Sequence, residues 1–133
     1  MHASLFRLVL VLVAFAEIAV ATNQATSERK SVVRGWLSDE ACAGGRASSG
    51  VYTGTNPECA RKCVSNGKKI VLVDPEGKRL LAISNQNAAM ERVGDYVEIK
   101  GELNEEAKTL HIDSVELLEK GVVMCRVRPR KKT

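Results

Sequence analysis

Four cysteines lie downstream of an N-terminal stretch that carries the marks of a removable export signal, and together these features limit what the chain can fold into. Met1 to Arg7 is a short basic start and Leu8 to Val20 is apolar. Ala19-Val20-Ala21 then supplies the small-x-small pattern that signal peptidase reads. Cleavage there starts the mature chain at Thr22. Glu17 interrupts the apolar run, so a cut after Ala16 is the alternative. The run is shorter than the roughly 20 residues a bilayer crossing needs, and no membrane span is expected. An exported chain folds in the periplasm or outside the cell, where thiols oxidise. Cys42, Cys59, Cys63 and Cys125 are an even set in a small exported domain, the usual arithmetic of a disulfide framework.

What remains after the signal suffices for one domain with a core and not for two. The expected organisation is a signal over 1–21, a flexible lead-in over 22–30, one domain over 31–119 and a basic tail over 120–133. From Lys120 onward there are six basic residues and no acidic ones, whereas Thr22 to Glu119 holds 13 basic and 15 acidic residues. The tail alone makes the chain basic. It reads as a solvated segment, with loose adhesion to an anionic surface as its functional reading.

Ser31 to Leu37 is rich in strand formers, with Trp36 as its anchor. Asp39 to Asn56 holds four glycines and reads as a long loop tied down through Cys42. Asn56, Pro57, Glu58 and Gly67 punctuate a helix, which sets Cys59 and Cys63 one turn apart with Arg61 and Lys62 between them. Ile70 to Asp74 and Arg79 to Ile83 form a hairpin around the turn Asp74-Pro75-Glu76-Gly77. Asn87 to Val93 suits a turn or two of helix. From Asp95 to Leu103 the pattern alternates: Val97, Ile99, Gly101 and Leu103 point inward, Tyr96, Glu98, Lys100 and Glu102 outward. Thr109 to Leu118 is the last strand, and a change of parity between Ile112 and Val115 predicts a bulge near Asp113 and Ser114. The expected fold is mainly β: a small five-stranded OB-like barrel with one helix after the first strand and a short one before the fourth. A two-sheet sandwich is the alternative.

The run Gly35-Trp36-Leu37-Ser38-Asp39-Glu40-Ala41-Cys42 is followed by Cys59-Ala60-Arg61-Lys62-Cys63, Ser84-Asn85-Gln86 and Val97-Glu98-Ile99-Lys100-Gly101. This succession resembles a family of small exported bacterial proteins of unknown function, found mainly in acidobacteria and their relatives. The resemblance covers roughly Val32 to Leu118. It implies a fold and a compartment and brings no established activity. Arg46 stands where a His often follows the first Cys in that family, and Cys125 falls outside the shared span.

The cysteines carry the sharpest chemistry. Residues four apart on a helix hold their Cβ atoms about 5–6 Å apart, and a disulfide wants roughly 3.5–4.5 Å. Cys59 and Cys63 should therefore not pair with each other: one should bond Cys42 and the other could reach Cys125. Two further readings stay open. Cys59 in a first helical turn beside Arg61 and Lys62 would favour a redox-active thiolate. Alternatively, Cys42, Cys59 and Cys63, with Cys125 or His111, could surround a zinc ion. His2 leaves with the signal, and no nucleophile or carboxylate motif frames His111, so no catalytic group is assigned and no cofactor is expected. Trp36, Tyr52 and Tyr96 are too few aromatics, on a mildly acidic domain, to build a nucleic-acid platform. The expected function is that of an exported, disulfide-stabilised, monomeric and non-enzymatic module that binds an unidentified ligand or envelope component. Its interaction face would be the loop 43–56 with Arg46, Arg61, Lys62, Lys68 and Lys69. The alternative is a thiol-redox or metal-handling protein built on Cys42, Cys59 and Cys63.

Overall fold

The hairpin read from Asp74-Pro75-Glu76-Gly77 fixes the register from which the rest of the fold follows. In the computed structural model, which describes residues 28–122, strand β2 spans Ile70–Asp74 and β3 spans Arg79–Ile83. Asp74 organises the turn: its Oδ1 accepts the Gly77 N–H at 2.9 Å and its Oδ2 accepts Arg79 Nε–H at 2.9 Å. The expected export signal and Cys125 lie outside the described residues, as does the basic tail beyond Val122.

Strand β1 (Glu28–Asp39) pairs antiparallel with β2 at its C-terminal end and with β4 (Tyr96–Asn104) along its length. It starts three residues before the expected strand, inside the expected lead-in. Those residues are drawn into the sheet because β4 is long enough to pair with them, Glu28 facing Asn104. Lys30 there bridges Glu102 and Asp113 at 3.0 and 2.7 Å. Strand β5 (Thr109–Glu119) pairs antiparallel with β4 and, through Ala82–Thr109 and Ile83–Leu110, parallel with β3. The order β1-β2-β3-β5-β4 thus returns to β1, and one five-stranded sheet closes in a ring.

The inward set expected of β4 is buried: Val97, Ile99, Gly101 and Leu103. Of the outward set, Lys100 is exposed while Glu98 and Glu102 are half-buried, Glu98 by its pairing with Arg34 at 2.8 Å. The expected bulge is present, since Lys100 faces Ser114 while Gly101 faces Ile112, which leaves Asp113 unmatched. Gly101 permits this, because a Cβ there would lie 1.9 Å from the His111 carbonyl oxygen. Leu37, Leu72, Leu81, Ile99 and Leu110 fill the ring with the strand valines and are fully buried. A short 3-10 helix (Gln86–Arg92) covers one region of the ring and contributes Ala89 to the core.

The segment 39–56 departs from expectation. Its first half is helix α1 (Glu40–Ala47), capped by Asp39 with Glu40 in the first turn and Arg46 in the last. Its second half is held without any cross-link. Ala43, Val71 and Val73 form a second small core with Trp36, Tyr52 and Leu80 packed against it. Gly54 lies flat against Trp36, where a Cβ would meet the indole at 2.7 Å. Arg46 reaches over to the Gly54 carbonyl and the Thr53 hydroxyl at 2.7 and 2.5 Å, and the buried Ser38 hydroxyl bonds Thr55 at 2.6 Å. Helix α2 (Pro57–Ser65) begins as read, its cap Asn56 accepting the Glu58 and Cys59 N–H groups at 3.0 and 3.3 Å.

Candidate functional site

Asp39 is the pivot between β1 and α1. As the cap of α1 its Oδ2 accepts the Cys42 N–H at 2.9 Å, which seats Cys42 in the first turn, directly over the end of β1. β1 ends opposite the start of β2, Asp39 facing Ile70, and the exit from α2 leads straight into that position. The join is clasped from both sides: Glu40 N–H donates to the Lys69 carbonyl at 2.9 Å, and Lys69 N–H to Glu40 Oε1 at 3.2 Å. This places Cys63, on α2, close to Cys42 in the first turn of α1. One carboxylate oxygen of Asp39 and the sulfurs of Cys42 and Cys63 all lie within 4.8 Å of one another.

Asp39 is fully buried and its Oδ1 has no hydrogen-bond partner among the described residues. Cys42 and Cys63 are half-buried, and no two of Cys42, Cys59 and Cys63 stand at disulfide distance from each other. Burial first, then the neighbouring Asp39 carboxylate, pushes the Cys42 thiol up from its ordinary 9.0 to about 11. At neutral pH it is a protonated, poorly nucleophilic thiol.

The residues singled out from sequence divide clearly. Cys42 and Cys63 come together; Cys59, one turn earlier on α2, is exposed and lies outside the cluster. His111 belongs elsewhere. It is exposed on β5, its Nδ1 3.1 Å from the Ser84 hydroxyl, and is absent from the cluster because β5 contacts β3 and β4 rather than β1. The expected basic face also splits. Arg46 is spent on the loop it ties down, and Arg61 donates to the Val93 carbonyl at 3.0 Å and lies 3.7 Å from Asp95. Lys62, Lys68 and Lys69 remain exposed. The residue that sequence reasoning missed is Asp39. Its signal was the spacing Asp-x-x-Cys, which is also a helix N-cap spacing.

A shallow depression of about 400 Å³ lined by Val32, Arg34, Asp74, Glu76 and Arg79 shares no residue with the cluster. No helix among the described residues is long and apolar enough to cross a membrane. No protein-family model, curated protein or solved structure matches this chain.

Proposed function

We propose that this chain is an exported, non-enzymatic binding module on an OB-like barrel, stapled by a disulfide between Cys42 and Cys63. The barrel reading is supported by the strand order β1-β2-β3-β5-β4, the parallel contact of β3 with β5 and the helical segment between β3 and β4. The staple rests on one observation: the Cys42 and Cys63 sulfurs approach within 4.8 Å at the junction of α1 and α2. A bond requires the two sulfurs to close to about 2.05 Å. Of the two partners that helix geometry allowed for Cys42, the structure favours Cys63. The alternative of a redox-active pair built on Cys59 has less support, because Cys59 is exposed and lies outside the cluster that brings Cys42 and Cys63 together.

A Cys42–Cys63 bond closes a loop of roughly 20 residues, worth about 3 kcal/mol in the chain-entropy model. Cys42→Ser and Cys63→Ser should therefore each lower the denaturation midpoint of the oxidised protein. Denaturation with and without reductant reads this directly. A midpoint that reductant leaves unchanged would refute the staple.

A further inference from the structure

Three aspartates are fully or almost fully buried, and two of them are neutralised in place. Asp74 pairs with Arg79 at 2.9 Å. Asp95 faces Arg61 at 3.7 Å and accepts the Gly121 N–H at 3.0 Å. Asp39 is different. It is the most buried of the three, makes no ion pair among the described residues, and keeps one oxygen without any partner. A buried carboxylate with no cation is costly unless something positive completes it. The groups next to it are two sulfurs, those of Cys42 and Cys63.

We propose that, in the dithiol form of the protein, Asp39, Cys42 and Cys63 bind a thiophilic divalent cation of the zinc type, with the fourth tetrahedral position open. Zinc holds sulfur at about 2.3 Å and carboxylate oxygen at about 2.0–2.2 Å, so two sulfurs around it stand about 3.8 Å apart. The two sulfurs, already within 4.8 Å of each other, need to close by about 1 Å at most. The donor set selects the class: sulfur ligands favour zinc-like ions over calcium or magnesium, which take oxygen. On binding, both thiols release their protons and the two thiolate charges offset the cation's two, so the net charge of the site is unchanged while the carboxylate of Asp39 gains a direct bond to the ion. The site is distinct from the disulfide reading, because a Cys42–Cys63 bond removes both sulfur ligands.

Cobalt(II) is a suitable probe, since tetrahedral thiolate coordination gives it visible d–d bands and near-ultraviolet charge-transfer absorption. The full chain, reduced anaerobically with a phosphine and freed of metal, is titrated with Co²⁺ and then with Zn²⁺. One cobalt per chain, displaced by zinc, is the expected result. Asp39→Asn keeps an oxygen to cap the Cys42 N–H while removing the charge, and Cys63→Ser removes a sulfur. Each should weaken binding by at least the roughly 10–100-fold typical of losing even an outer-shell partner, whereas Cys59→Ser should leave it unchanged. Should Asp39→Asn fail to fold by circular dichroism, Cys63→Ser decides alone. Absence of thiolate–cobalt absorption in the reduced protein would overturn the inference, as would its loss in Cys59→Ser with retention in Cys63→Ser. If the same preparation before reduction carries a Cys42–Cys63 bond, the staple survives that failure, so the two readings fall separately.

Discussion

Asp39 closes β1, caps α1 and faces two thiols, and substitutions there separate these roles. Asp39→Ala loses the cap and should cost about 1 kcal/mol in helix stability. Asp39→Asn keeps an oxygen for the cap, so in metal-free, reduced protein it should cost less than Asp39→Ala. Thermal melts of both variants in chelator check the pair of outcomes. Cys42 offers a second test at this scale. A thiol whose pKa is raised on folding contributes stability that is full below its unfolded value and is lost as pH rises through the folded one. The reduced protein should therefore lose stability between about pH 9 and 11, and iodoacetamide should label Cys42 slowly until the same range. Rapid labelling at neutral pH would contradict it. Residue types were legible in the sequence, but their juxtaposition was only partly so. Cys42 with a helical cysteine followed from helix geometry, whereas the exclusion of His111 depends on which strands β5 touches, and no local pattern records that.

Elements whose ends are written in side chains were the readable ones. Asn56-Pro57 starts α2, Asp74-Pro75-Glu76-Gly77 turns the hairpin, and the alternation from Tyr96 to Leu103 orients β4. Helix α1 went unread because Gly44 and Gly45 sit inside it, and glycine there costs about 1 kcal/mol relative to alanine. Tertiary contacts outweigh that penalty: Ala43 packs on Val71 and Val73, and Arg46 binds the loop beyond. The order of 48–56 therefore comes from Trp36, Gly54, Arg46 and Thr55 rather than from Cys42 alone. Gly54→Ala should force the new methyl into the Trp36 ring and destabilise the domain by about 1–3 kcal/mol, the usual cost of overpacking. Trp36 is the only tryptophan, so its fluorescence in a urea titration reports the shift directly. A stability equal to that of the parent would show that the loop is held by something else.

At the scale of the whole molecule, the ring closes at its weakest seam, where β3 and β5 share two residue pairs. Ser84-Asn85-Gln86, a motif whose role the sequence did not disclose, reinforces that seam through Asn85 and the end of the neighbouring β2–β3 pair through Gln86. Asn85 donates to the Ile112 carbonyl and accepts the Ile112 N–H, both at 2.8 Å. Gln86 accepts the Ile70 N–H at 2.7 Å and donates to the Ile70 and Ile83 carbonyls at 2.9 and 2.7 Å. These amides supply backbone groups that have no strand neighbour there. Asn85→Ala leaves a buried donor and acceptor unpaired and should cost about 2 kcal/mol or more, with amide exchange rising first at Ile112. The ring sets the ends of β1 and β2 side by side, and the thiol cluster stands on that junction. Trypsin offers the most direct test of the cluster's pairing, because cleavage after Arg61 and Lys62 separates Cys59 from Cys63. Mass spectrometry of the non-reduced digest, alkylated beforehand, should find the peptide Gly35–Arg46 linked to Cys63–Lys68, with Cys59 in neither. Cys42 linked to the Cys59 peptide, or all three cysteines alkylated in protein recovered from an oxidising compartment, would contradict the account.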